Sequence, residues 1–325
     1  MFWDSLKKRV TPRGQRRSSS FVLPAVVIEL EPGFVAGARL DKSSRRVESV
    51  GVRELEPGAL SAIPNRPNVA NQAAVRRAVS EVVERIGNGN GRLGLLVPDA
   101  TVRVSPLVFE TLPSYRSEAE ALVRWRLRDS LSYPPDEARV SFQIESREPN
   151  AVELLALAMR LSVLAEYEAA LEGVNGGACL TLPATMALLP LLPEDVRGGQ
   201  VLVHVCSGCV TTVVVEGNRV RSWRHRLLEA AGAAEALPEV AQEVGRVLAN
   251  CSDHLRLEVS RVWACLRPPF APDLAAELAR ALNRDVVPLG GGAGRAPTLS
   301  GPDHELFQRY GLTFAGLVAN AGRER

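Results

Sequence analysis

Short apolar runs broken by turn residues open the chain. A strand pattern extends from about Pro24 to Leu40, interrupted at Pro32-Gly33. A further strand from Arg46 to Leu55 follows Lys42-Ser43-Ser44. The order returns in the second half: Val203-His204-Val205-Cys206, then Ser207-Gly208, then Val210 to Val215, with a third strand after Gly217-Asn218. The two stretches read as duplicated strand–turn–strand units. A hairpin duplicated in this way is the basis of folds that grip a nucleotide between two lobes.

Between them the period changes. Val75, Val79, Val82 and Ile86 recur at helical spacing, with Gly87 where a C-terminal cap belongs. The Gly-Asn run at 87–91 precedes the strand Leu93 to Val97; helix before strand is the wrong order for a phosphate-cradling loop. Residues from about 100 to 173 form a pattern of their own. It holds a strand from Thr101 to Glu110 and a helix opened by a Ser117/Glu120 capping box, running to about Ser132 before Pro134-Pro135. Val140, Phe142 and Ile144 then alternate, Val152 to Met159 is continuously apolar, and Ser162 caps a helix carrying Val163, Leu164, Tyr167 and Leu171. This predicts a small α+β subdomain inserted in the first lobe. A second lobe begins near Gly198. After its strands come a helix from about Glu235 to Glu258, a strand Val262 to Leu266, a helix Asp273 to Leu282 capped by Asn283, a strand Asp285 to Leu289, a loop at Gly290 to Gly294 and a helix from about Glu305 to Ala319. The expected organisation is a basic N-terminal arm over 1–20, a first lobe over 21–197 containing the insert, and a second lobe over 198–325.

Composition removes several functions. The formal charge of +2 over 325 residues gives no global field for nucleic acid. No lysine occurs after Lys42, so a P-loop, Schiff-base or kinase-type strand lysine is missing from the rest of the chain. The five cysteines are an odd number without a secretory signal, which predicts reduced thiols in a cytosolic protein. No apolar run approaches the roughly 18–20 residues that span a bilayer, so a soluble chain is expected. In the arm, Phe2, Trp3 and Leu6 beside Lys7, Lys8 and Arg9 limit membrane contact to a peripheral kind.

Cys206-Ser207-Gly208-Cys209 with His204 and His225 has the residue types of a zinc site but lacks a second ligand pair at defined spacing, so no metal is expected. A thioredoxin-like role fails as well, because that motif opens a helix and this one sits in a hairpin turn. Glu29 and Glu31 share a strand face, as a general acid/base pair would, but the expectation is a vestigial cleft edge lined by charge.

Strand order, duplicated hairpin and insert together resemble the actin-like (ribonuclease H-like) ATPase superfold. Within it, the chain resembles the type IV pilus assembly protein PilM family over nearly its whole length. Met1-Phe2 with Lys7-Lys8, the segment Leu96-Val97-Pro98-Asp99-Ala100-Thr101-Val102-Arg103, Leu112-Pro113 and Tyr133-Pro134-Pro135 carry that resemblance. The family's first phosphate motif, Ile-Asp-Ile-Gly and a later lysine, is here Ile28-Glu29-Leu30-Glu31 and Ala36. Its second, Asp-x-Gly, is His204-Val205-Cys206, and its adenosine motif, a Gly-Gly after a strand, is Leu266-Arg267-Pro268-Pro269. A carboxylate at Glu31 repels phosphate by on the order of 4 kcal/mol per pair at an effective dielectric near 20. Three departures together imply a vacated site lined by Glu29, Glu31, His204, Cys206, Leu266 and Arg267.

The resemblance therefore implies a non-catalytic scaffold at the cytoplasmic face of the inner membrane, in a pilus or type II secretion-like assembly platform, with no nucleotide cofactor. Its partners would be a PilN-like single-span membrane protein and other platform components. PilN's cytosolic tail would lie in a groove between the first lobe and the insert, near Trp125, Leu131 and Tyr133. An ATP-binding switch with altered motifs and an actin-like filament subunit are the alternatives.

Overall fold

A computed structural model of the chain describes residues 23–41, 46–87, 93–174, 177–229, 233–267, 274–289 and 302–319. The expected arm over 1–20, most of the Gly-Asn run after Gly87 and the Gly290–Gly294 loop lie outside the described residues.

In chain order the first half contains β1 (Val26–Glu31), β2 (Phe34–Leu40), β3 (Val47–Glu54), α1 (Gln72–Ile86), β4 (Leu93–Val97), β5 (Val102–Phe109) and α2 (Arg116–Leu127). Next come β6 (Ala138–Glu148), β7 (Ala151–Arg160), α3 (Leu161–Ala169) and β8 (Ala178–Pro183). The second half contains β9 (Gly199–Cys206), β10 (Cys209–Glu216), β11 (Arg219–Leu227), α4 (Ala233–Asp253), β12 (Val259–Leu266), α5 (Leu274–Leu282), β13 (Val286–Pro288) and α6 (Pro302–Phe314). Two five-stranded sheets result, ordered β3-β2-β1-β4-β8 and β11-β10-β9-β12-β13. In each, the first three strands run antiparallel and the last two join in parallel. The expected duplication is thus complete at the level of topology. A three-stranded sheet, β5-β7-β6, is the insert.

The turns explain the hairpins. Gly33 takes φ +100° after Pro32, and Ser207-Gly208 takes φ +51° and +75°, the paired left-handed conformation that matches strand twist. Central strands β1, β4 and β9 are buried at every position, covered on both faces, which is why they read as near-continuous apolar runs. Helix α1 lays Val75, Val79, Val82 and Ile86 on the first sheet. The Asn71 side chain accepts the Ala74 N–H at 3.0 Å at one end, and Gly87 closes the other.

Several boundaries differ from the sequence pattern. Helix α2 starts at Arg116 behind Tyr115 with no side-chain cap, and Glu120 pairs with Arg116 at 2.8 Å, an i,i+4 contact that replaces the expected capping box. It ends at Leu127 and a 3-10 turn, and Leu131 is already extended, well before the prolines. Helix α3 follows β7 without a gap, so Ser162 sits inside its first turn and caps nothing. Its Val163, Leu164 and Tyr167 pack with α1 in the core of the first lobe, whereas the insert's own core is Ala119, Val123, Leu127, Tyr133, Val140, Phe142, Leu154 and Ala156. The helix expected to Glu258 ends at Asp253. Strand β8 and the 3-10 segment Ala184–Leu191 have no clear period in sequence. The segment is nonetheless buried, packing with Leu96 of the first sheet and Leu202, Val213 and Trp223 of the second in a core that bridges the lobes.

Candidate functional site

The cleft expected from the sequence lies between the two central hairpins. Strand alternation aims Glu29 and Glu31 into it from β1, and His204 and Cys206 from β9. Two-residue turns fix the cross-strand partners: Glu29 opposes Ala36, His204 opposes Thr211, and Cys206 opposes Cys209. Leu266 ends β12 and buries its side chain in the core of the second lobe, while Arg267, the next residue, turns its guanidinium across the cleft to Glu29. The structure thus gathers five of the six cleft residues into one contact zone and leaves Leu266 as packing.

Both partners of the Arg267–Glu29 pair are completely shielded from solvent. Burial raises the Glu29 carboxyl above its ordinary range and the guanidinium, which stays charged, pulls against that rise. Glu31 is 3% exposed. Burial first, and the neighbouring Glu29 charge second, raise it well above the usual range. Beside it, Ser207 Oγ donates to the Pro32 carbonyl at 3.1 Å, tying the two hairpin turns together. Cys209 Sγ donates to the Cys206 carbonyl at 2.9 Å. Burial pushes both thiols up, away from the thiolate range of a nucleophile.

One strand position further in lies a second polar group that sequence reasoning did not assemble. Asp99, in the turn after β4, accepts the Thr185 N–H at 2.9 Å, the Thr185 hydroxyl, and the Thr211 hydroxyl at 2.7 Å. Burial alone would raise its carboxyl, but hydrogen bonding and charge from His204, with His225 and Thr185, hold it well below the usual range. The network has a direction. Each hydroxyl spends its only hydrogen on Asp99, so each must accept from the histidine beside it. Thr185 Oγ1 meets His204 Nδ1 at 2.6 Å and Thr211 Oγ1 meets His225 Nδ1 at 3.0 Å. Both Nδ1 atoms therefore carry a proton, while burial lowers both rings from their ordinary range and the Asp99 charge opposes that fall.

One irregularity hid part of this group. Thr211 was deducible, because a two-residue turn at Ser207-Gly208 puts it opposite His204. His225 was not, because a bulge between Val214 and Val215 shifts β11 by one residue and brings His225, rather than Arg224, beside Thr211. No group of three or more His, Cys, Asp or Glu with metal-holding geometry occurs among the described residues.

The three residues expected at the partner groove separate. Trp125 is 56% exposed on α2 with the Arg128 guanidinium 4.4 Å from its ring. Leu131 is half-buried. Tyr133 is buried in the insert's core, so its ring is packing and cannot present a surface. Contacts across the boundary of first lobe and insert run from Asn65 Nδ2 to the Ser132 carbonyl at 3.4 Å and from Arg160 to the Asn65 carbonyl, with Arg160 held inside the insert by Glu137 at 2.7 Å.

No family model matches the sequence, and no curated protein does. Among solved structures, the chain is similar to one from a PilM–PilN type IV pilus biogenesis complex, with 18% identity over 92% of this chain and 99% of that one and a TM-score of 0.76. Looser likenesses are the cytoplasmic domain of EpsL, an inner-membrane component of the type II secretion system of Vibrio cholerae (11% identity, 89% and 94% covered, TM-score 0.47), and a Bacteroides thetaiotaomicron protein of unknown function with an actin-like ATPase fold (10%, 89% and 95%, 0.49). The chain has a PilM-like, actin-like fold, two matching lobes around a cleft that its own side chains fill.

Proposed function

We propose that this protein is a non-catalytic actin-like scaffold of a type IV pilus or secretion-like assembly platform, which binds the cytosolic tail of a PilN-like single-span membrane protein. The observation that carries the reading is the Arg267–Glu29 pair. A guanidinium occupies the ground that phosphate and its metal would need, and it comes from the residue that replaces a glycine of the adenosine motif. The charge that would have met a nucleotide is met within the chain.

A partner-binding role is supported by the likeness to a chain taken from a PilM–PilN complex. The tail is assigned to the boundary of first lobe and insert, on which side Trp125 is exposed on α2, Leu131 is half-buried and Leu161 is exposed at the start of α3. Such a protein works at the cytoplasmic face of the inner membrane. Among the described residues no helix is long and apolar enough to cross a membrane itself.

Calorimetry on the full chain tests both halves of the reading. Titration with the cytosolic tail of the single-span membrane protein encoded beside it is expected to give saturable heat that Trp125→Ala weakens. Titration with millimolar ATP and magnesium is expected to give none. Micromolar nucleotide affinity would overturn the vacated-site reading, and a silent tail would overturn the scaffold reading.

A further inference from the structure

The inserted sheet meets the second lobe beside the edge strand β11, and both sheets break register there. In β6 the pairing to β7 steps from Ile144–Leu154 to Ser146–Glu153, which leaves Glu145 as the extra residue. In β11 the pairing to β10 steps from Val214–Ser222 to Val215–Val220, which leaves Arg221 as the extra residue. A bulge re-aims the side chain it inserts and bends its strand. Here the two bulges meet. The Glu145 carboxylate accepts the main-chain N–H of Val220 at 3.1 Å, a donor that an edge strand otherwise leaves open. On β7, Glu153 takes Arg219 at 2.9 Å and Arg221 at 3.5 Å.

We infer that this junction is a latch between the insert and the second lobe, and that Glu145 is the group that sets how tightly it closes. The inference stands on the matched bulges and does not depend on which partner the groove takes. An ordinary edge strand binds a passing strand through several N–H groups, whereas this one offers a single N–H to a single carboxylate. Glu145 is the side chain that holds the main chain of β11, and Glu153 adds two partly exposed ion pairs beside it, so closure is adjustable through Glu145.

The charges around Glu145 give the direction of adjustment. Glu153 faces it from β7, and Arg219 and Arg221 face it from β11, with Glu216 at the end of β10 behind Arg221 at 3.5 Å. Burial raises the Glu145 carboxyl from 4.5 to about 7; the Val220 N–H lowers it, Glu153 adds to the rise, and the two arginines oppose it. An undocked Glu145 returns to its ordinary value. The closed latch therefore holds a proton more tightly than the open one. Closure is fully favoured below about pH 4.5 and weakens as pH rises through about 7, by on the order of a hundredfold in the closing equilibrium.

Amide hydrogen exchange of the full chain, corrected for the intrinsic pH dependence of exchange, reads closure directly at the Val220 N–H. Protection at Val220 is expected to be at least about tenfold higher at about pH 5.5 than at about pH 8.5, while the core amide of Val213 keeps one value. Glu145→Gln retains a neutral acceptor and is expected to hold the acid-side protection at both pH values. Glu145→Ala lacks the acceptor and is expected to give low protection at both. Equal Val220 protection at the two pH values in the unaltered chain would overturn the latch, as would a pH dependence that survives in Glu145→Gln.

Discussion

The second lobe is held to the rest of the molecule along two boundaries built on opposite principles. Against the first lobe it is dry. Arg267 and Glu29 are wholly shielded, and Asp99, Thr185, Thr211 and His204 are all at most 5% exposed. Against the insert it has a wet rim: Val104 and Leu155 share a buried core with Val220 and Trp223, but the charged residues Arg219, Arg221 and Glu153 keep 44%, 30% and 27% of their side-chain surface in solvent. Charges paired in a dry medium cannot be separated without stranding one of them, whereas half-exposed charges exchange a partner for water at little cost. The comparison assigns rigidity to the interlobe boundary and adjustment to the insert boundary.

The strongest test of that difference is to strand the charge. Arg267→Ala leaves Glu29 buried without a counter-ion and is expected to cost about 3–5 kcal/mol in urea denaturation at neutral pH. Replacing both partners, Glu29→Met with Arg267→Met, removes the stranded charge and is expected to recover most of that loss. Equal losses in the single and double variants would show that shape, not charge, holds the lobes together.

The next effect is directional as well as energetic. Asp99→Asn keeps one acceptor oxygen in place of two; with that oxygen on the Thr185 N–H, its amide NH2 faces the two hydroxyls, which then turn and donate to the histidine Nδ1 atoms. His204 and His225 are then expected to move their protons to Nε2, which nitrogen chemical shifts will show. The Nε2 atoms lie buried with no hydrogen-bond partner among the described residues, so the change should cost about 1–3 kcal/mol. The folded Asp99 is depressed, so its contribution is complete above 3.8, its ordinary value, and is lost as pH falls through the folded value. The gap between Asp99→Asn and the unaltered chain should therefore be widest near neutrality and close in acid. A gap that widens in acid would refute the assigned ionisation.

How much of this was legible in the sequence follows the same division. The sheets were, because β1 and β9 with their turns repeat one pattern, and a two-residue turn fixes which residues oppose each other. The convergence of Glu29, Glu31, His204 and Cys206 from two facing strands was legible too, because strand alternation puts each pair on one face. What Arg267 does with its charge was not: a residue after the last strand reaches Glu29 only once both lobes are folded, and nothing local in Leu266-Arg267-Pro268 announces the pairing. His225 was hidden by the bulge in β11, which turns strand alternation over by one residue. Glu145 was hidden in the same way. Period-two reading sees the strand Val140, Phe142, Ile144 and cannot see that the next residue is the one that leaves the ladder. Burial of the 3-10 segment after β8 depends on two sheets closing over it, and its own pattern has no period to report that.

The smallest effect is the one that isolates the wet boundary. Glu153→Ala removes a carboxylate that pairs with two arginines, yet those pairs are partly exposed, so global stability should change by no more than about 1 kcal/mol. Its consequence for Glu145 is expected to be larger than its consequence for the fold. The like charge that helps raise Glu145 disappears, and Arg219 and Arg221 are released to face it, so its titration midpoint should fall from about 7 toward 4.5. Carboxyl carbon shifts in glutamate-labelled protein measure that midpoint, with the Glu145→Gln variant supplying the assignment. A variant that loses several kcal/mol would show that the insert boundary is as structural as the interlobe one. An unmoved midpoint would show that Glu153 does not reach Glu145, and the two boundaries would then differ in exposure alone.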